Sequence, residues 1–263
     1  MNDHRETGMQ SDAGRRQADH YDRILTDYDR HYYDEQSQAY REEFILSPLL
    51  EGCDLTGYRV ADLASGSGET SLALMKRFPK VLTTGFDISP SACEKYRSAV
   101  GRPCFEADLS LGYNGGECFD AAIIMGGLHH CISNLPATLA TVAGMIKPGG
   151  DFFMFEPNKE YFLQWARRVW YGMDKYFEAD TEDGLIHADL LRLSSGRFEC
   201  RNLNYFGGPA FFLIYNSLVF RVPHTVKRGL SPALMSMERL YNRLPGRLPY
   251  TSFVAHWKRT GVV

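Results

Sequence analysis

The chain has no apolar run long enough to cross a bilayer. The longest such stretch, Pro209–Val222, is interrupted by Asn216 and Arg221 and falls short of the ~20 residues that a span requires. It is expected to be a buried or lid helix. The N-terminal residues Met1 to Gln17 are polar and lack the apolar centre of a secretory signal, which predicts a disordered tail and a cytoplasmic location. Cysteine is sparse in any useful pattern: Cys53, Cys93, Cys104, Cys118, Cys131 and Cys200 form no CxxC pair or other metal-ligand spacing. They read as reduced, buried thiols, with no metal site. Lys and Arg form no block, and the formal net charge is -3, so no nucleic-acid surface is indicated. There is also no internal repeat and no Pro/Ser-rich linker, so residues 18–263 are expected to form one domain.

What is present is an ordinary core-forming composition, 44% hydrophobic and 23% charged over 263 residues. From Tyr58 onward, short apolar runs alternate with helical patterns, the sign of strands joined by crossover helices into a parallel sheet. Strands are predicted at Arg59–Leu63, Val81–Phe86, Pro103–Glu106, Ala121–Met125 and Asp151–Phe155. Helices are predicted at Thr70–Phe78, Pro90–Ala99 and Pro136–Ile146, the last stopped by the turn Lys147-Pro148-Gly149-Gly150.

Flanking this core, residues 18–50 read as a helical, aromatic cap. The spacing of Tyr21, Tyr28 and Tyr32 puts three rings on one face if the segment is a single helix. Residues 159–250 read as an inserted lid with a helix at Lys159–Tyr171, a charged turn at Glu178–Gly184, a helix at Ile186–Leu193 and a strand near Phe198–Tyr205. The prolines of the basic, apolar tract Phe220–Arg247 argue against one continuous amphipathic helix there. Thr251–Lys258 reads as a final strand, rich in aromatic and β-branched residues.

The chemistry concentrates in Val60-Ala61-Asp62-Leu63-Ala64-Ser65-Gly66-Ser67-Gly68-Glu69-Thr70. An apolar strand runs into small residues and then a helix start, so a ligand can approach the backbone and its exposed N–H groups. A second strand ends roughly twenty residues later at Asp87, whose carboxylate can accept hydrogen bonds from ribose hydroxyls. Counted as GxGxxG from Gly66, the pattern gives Gly66, Gly68 and then Ser71, so the dinucleotide fingerprint is incomplete. Asp62 near the turn would repel a diphosphate and suit an amino group.

The segment Asp62–Gly68 resembles the first motif of class I S-adenosylmethionine (SAM)-dependent methyltransferases, D-x-G-x-G-x-G, with Ala64 in place of the first glycine. Further matches follow in order over residues 58–158. The resemblance implies a Rossmann-like α/β fold: a mostly parallel sheet with helices on both faces and a final antiparallel strand, here with an N-terminal helical cap and an inserted helical lid. It implies a cofactor site made of Asp62, Ala64, Ser65, Gly66 and Gly68, with Asp87 on the ribose and Ile88 beside the adenine. Asp108 and Leu109 resemble the pair that contacts the adenine amino group and ring. Phe119 to His130 resembles the fourth-strand motif, placing Met125 and Gly126 beside the sulfonium, and Lys147 to Pro157 resembles the following turn and fifth strand.

Methyl transfer depends mainly on positioning, and a base is required only where the acceptor must lose a proton. His129, His130, Glu156, Tyr21 and Tyr28 are the residues expected to orient or deprotonate the acceptor. The lid's aromatic content, including Tyr161, Phe162, Trp165, Trp170, Tyr171, Tyr205, Phe206, Phe211 and Phe212, suggests a small apolar or aromatic acceptor, with a lipid-linked one as the second option. S-adenosylhomocysteine (SAH) would be the product, and the protein a monomer or homodimer. Two rival classes stand beside this reading: a SAM-fold protein that binds the cofactor without methyl transfer, as a cyclase or binding module, and an NAD-dependent oxidoreductase.

Overall fold

A computed structural model describes residues 34–113, 118–165, 184–217 and 220–261. Seven strands form one sheet: β1 Arg59–Leu63, β2 Leu82–Asp87, β3 Cys104–Glu106, β4 Phe119–Met125, β5 Ile146–Pro157, β6 Phe198–Phe206 and β7 Ser252–Arg259. Their order is β3-β2-β1-β4-β5-β7-β6. The first five pair in parallel, and β7 runs antiparallel to both β5 and β6. The two halves of the parallel sheet diverge from β1, so the carboxyl ends of β1 and β4 open a crevice at the point where the strand order reverses.

Sequence patterning explains the layers. Successive strand residues face opposite sides, and Val60, Ile123, Phe153 and Val254 join one buried cluster while Ala61, Ile124, Phe152 and Phe253 join the other. The first cluster is covered by helix α1 (Glu35–Arg41), its π-helical continuation Glu42–Leu46 and helix α2 (Glu69–Arg77). Helix α4 (Leu135–Met145) and helix α5 (His187–Leu193) cover the second. Helix α3 (Pro90–Val100), which follows β2, carries its own start and stop signals. The Ser89 hydroxyl accepts from Ala92 N at 3.1 Å, Pro90 opens the first turn, and Gly101 takes the left-handed conformation after the last.

Four sequence expectations differ from the structure. Lys147–Gly150 is no free-standing turn, because β5 runs from Ile146 to Pro157 and the segment bulges where the register jumps from Phe119–Ile146 to Ala121–Asp151. The helix expected at Lys159–Tyr171 does not begin at Lys159: the segment up to Leu163 is non-helical, held by Phe162 N donating to Leu248 O, and Gln164 and Trp165 are helical; residues 166–183 lie outside the described set, including Trp170, Tyr171 and the charged turn's first six positions. The tract after Phe220 holds one continuous helix, α6 (His224–Tyr241), with Pro232 inside it. Pro223 sits before the helix, where its missing N–H costs nothing. Around Pro232, which lacks an N–H to donate to Arg228, the buried face Lys227, Ser231, Leu234 and Glu238 holds the helix against the core. The thiols also differ from expectation: Cys93 and Cys104 are buried, but Cys118 is exposed and the other three are half-buried.

Candidate functional site

The glycine turn is built by close packing beneath it. Gly68 caps α2 with φ +97°, and a Cβ there would stand 2.3 Å from Val100 Cγ2, so glycine is required on both counts. Ala64 adopts φ +49°, the left-handed region that costs a non-glycine residue energy. Opposite it, a Cβ on Gly127 would lie 2.7 Å from the Ala64 methyl, so the glycine after β4 leaves room for the alanine after β1. Ser65 N donates to Phe86 O at 3.1 Å, tying the turn to β2. Gly66 takes φ +52° with nothing within 4 Å of its absent side chain, which leaves open space over the loop.

Asp87 stands at the end of β2 as the spacing predicts. Its Oδ2 accepts from Gly66 N at 2.8 Å and its Oδ1 from Ser89 N at 2.9 Å, so one carboxylate joins the glycine turn to the second strand's exit. Ile88 follows, half-buried. Asp62 is deeper than a ligand-facing carboxylate: only 1% of it is exposed, and Oδ2 accepts from Ser71 Oγ at 2.7 Å and Ser71 N at 3.1 Å. Burial pushes its carboxyl up to about 7, against the opposing pull of the Ser71 hydroxyl and the Arg41 charge. Asp108 caps the turn Leu109–Leu111 by accepting from Ser110 N and Oγ, and Leu109 is buried in the second cluster.

At the end of β4, Met125 is half-buried and Gly126 turns with φ +75°, its N donating to Phe155 O at 2.8 Å. The chain then folds around Glu156, which is fully buried. Its Oε1 accepts from Gly127 N at 3.0 Å and Leu128 N at 2.7 Å, while Oε2 meets His129 N at 3.3 Å and His129 Nδ1 at 2.9 Å. Glu156 therefore sits behind the loop and acts on an acceptor only through His129. Burial pushes its carboxyl up to about 8, opposed by the three backbone donors. His130 lies with its ring 3.9 Å from that of His129. Tyr21 and Tyr28 lie outside the described residues, as does Tyr32.

Beside this pair stands an aromatic wall. Phe155 is in contact range of Gly126 and packs edge-on to Tyr215 at 5.9 Å and tilted to Phe206 at 5.8 Å. Tyr40 stacks on Tyr215 at 5.6 Å.

Arg41 is the residue that sequence reasoning missed. It is 3% exposed; Nη2 donates to Thr70 Oγ1 at 2.6 Å, in the first turn of α2, while Nε and Nη1 are buried without a hydrogen-bond partner. Such a guanidinium is costly unless an acceptor meets it. The signal was in the pattern: Ser37, Tyr40, Phe44 and Ile45 form a buried helical stripe, and Arg41 is a charge placed on it. Its charge pulls the carboxyl of Asp62 and the hydroxyl of Tyr215 downward against their burial. Among the described residues, no group of three or more His, Cys, Asp or Glu is arranged to hold a metal ion.

Residues 60–150 match the family described as a methyltransferase domain. Solved structures agree in fold. A SAM-dependent methyltransferase from Archaeoglobus fulgidus aligns over 89% of this chain and 99% of its own, with TM-score 0.57 and 15% identity. The [4+2]-cyclase SpnF aligns over 97% and 99%, with TM-score 0.62 and 14% identity. The N-methyltransferase NodS from Bradyrhizobium japonicum, in complex with SAH, aligns over 89% and 97%, with TM-score 0.53 and 10% identity.

Proposed function

We propose that the chain is a class I SAM-dependent methyltransferase, in line with the methyltransferase-domain match over residues 60–150, and that it methylates a small apolar or aromatic acceptor held between the aromatic wall and His129. The observation that carries this reading is that Phe155 Cε1 and Cε1 of His129, the latter fixed by Glu156, both come within 4 Å of where a side chain on Gly126 would stand. An acceptor ring stacked on Phe155 and Tyr215 would present its nucleophile at the carboxyl ends of β4 and β5.

The cofactor supplies an electrophilic methyl group on a sulfonium. The residues present fit it: Asp87 for the ribose hydroxyls, the open space over Gly66 for close backbone approach, and the two unpartnered nitrogens of Arg41 for a carboxylate. When Glu156 is ionised, Nδ1–H of His129 donates to it, and Nε2 carries the lone pair that can take a proton from an acceptor hydroxyl or amine. Asp62 braces the turn from beneath through Ser71 instead of contacting substrate.

The test is incubation with methyl-labelled SAM and a panel of phenols, apolar amines, peptides and lipid-linked phenols. Label transfer with SAH release on the free phenols or amines supports the assignment; transfer only to peptides overturns the acceptor class.

A second reading draws on SpnF, a cyclase with this fold, and on the strained Ala64 at the first glycine position. Tight SAM binding without methyl transfer to any acceptor would favour it.

A further inference from the structure

The outer surface of α6 carries features that the methyl-transfer site does not use. Among the described residues, fourteen large apolar side chains are exposed, and half of them fall between Phe220 and Leu248. Val226, Leu230, Met237 and Leu240 recur at helical spacing and lie within ~40° of one line along the helix. Leu240 is 67% exposed, and just past the helix Leu244 and Leu248 extend the strip. Phe162, 55% exposed, adjoins Leu248 through the hydrogen bond from its N to Leu248 O.

The exposed charge of this segment has one sign. From Phe220 to Tyr250 the sequence holds Arg221, Lys227, Arg228, Arg239, Arg243 and Arg247 against a single carboxylate, Glu238. Glu238 is fully buried, where it accepts from Tyr40 Oη, Gly208 N and Ala210 N. Lys227 is also buried, on Asp34, Ser37 and Ser217. The five arginines are exposed. Arg239 pairs with Glu43 and Arg247 with Glu160, while Arg228 and Arg243 form no ion pair among the described residues. Around the helix the order is therefore a core strip, a side that carries Arg228 and Arg239, and an exposed apolar strip, with Arg221, Arg243 and Arg247 just beyond its ends.

We propose that the exposed face of α6, continued by Leu244, Leu248 and Phe162, docks on an anionic lipid surface. A helix with a polar face rich in arginine and a separate exposed apolar strip lies in the plane of the membrane interface, with the apolar side chains at the acyl boundary and the guanidinium groups on phosphates. The helix is 18 residues long, about 27 Å, and its strip from Val226 to Leu240 covers about 21 Å of that; no helix among the described residues is long and apolar enough to span. A second copy of the chain would complement the face less well, because it offers arginine to arginine and no exposed carboxylate on the helix.

The test is flotation of the full chain with vesicles of phosphatidylcholine alone and of phosphatidylcholine mixed with phosphatidylglycerol, together with sedimentation velocity. The protein should float with the mixed vesicles and lose that binding in high salt. Leu230→Ser with Leu240→Ser should lower the vesicle partition at least tenfold. Arg228→Gln with Arg243→Gln should remove the preference for anionic lipid. SAH titration checks that both variants keep their fold. No partition onto either vesicle, or a concentration-dependent dimer abolished by the same leucine substitutions, overturns the proposal.

Discussion

The carboxylate of Glu156, near the end of β5, and the Nδ1 of His129, in the turn after β4, lie 2.9 Å apart. With the carboxyl pushed up to about 8 by burial, the pair changes its internal arrangement near that pH. Below that value Glu156 holds the proton and gives it to Nδ1; above it Nδ1–H donates and Nε2 becomes the acceptor.

Activity toward an acceptor that must lose a proton should therefore rise as pH approaches about 8. His129→Ala should lower kcat by about 10²–10⁴-fold while leaving SAH affinity intact. Glu156→Gln should lower kcat and erase the rise, because its amide donates to Nδ1 and forces the wrong tautomer. A pH–rate profile of the three proteins checks this, and an unaltered profile in Glu156→Gln contradicts it.

Asp62 gives a stability prediction of definite sign. Its folded-state carboxyl is raised to about 7, above the unfolded value, so its contribution is fully present below pH ~4 and is lost as pH rises through about 7. Asp62→Asn keeps the acceptor for Ser71 and removes that loss, which is up to about 4 kcal/mol. In cofactor-free protein, urea unfolding at about pH 5 and about pH 8 should show the variant gaining on the wild type at the higher pH. A constant difference between the two proteins would count against a raised carboxyl.

Ala64 and Gly127 should behave as a coupled pair. Gly127→Ala places a Cβ 2.7 Å from the Ala64 methyl and 2.8 Å from Ile124, so it should destabilise by about 1–3 kcal/mol. In an Ala64→Gly background the cost should shrink without vanishing, since Ile124 remains. Ala64→Gly alone also releases the strain of a left-handed alanine. Additive unfolding free energies in the four-protein cycle would show that the two positions do not touch.

Asp87→Ala should weaken SAM binding by about 1–3 kcal/mol, losing both the proposed ribose contact and its hold on Gly66 N. Unchanged affinity in a folded variant removes Asp87 from the cofactor site.

The parallel core was legible because short apolar runs alternate with helical patterns, because β1 and β4 run into small residues, and because a second strand ends at Asp87 roughly twenty residues after the glycine turn. The flanks were less so. Pro232 signals a break by local propensity, yet burial of Lys227, Leu234 and Glu238 on one face keeps α6 whole. Glu156 follows the fifth strand's apolar run and looks available to substrate, and only the folded loop shows three backbone donors converging on it. Arg41 lies outside the glycine turn in sequence and enters the site only when α1 docks on the start of α2.

Arg41 also offers the most direct measurement. SAH and 5′-methylthioadenosine, which lacks the amino-acid carboxylate, should be titrated calorimetrically into the wild type and Arg41→Gln, with NAD as a control. SAH affinity should fall by about 1.5–3 kcal/mol in the variant while methylthioadenosine affinity holds and NAD does not bind. An equal effect on both adenosyl ligands, or no effect on either, contradicts the carboxylate clamp, and binding of NAD alone contradicts the cofactor site as a whole.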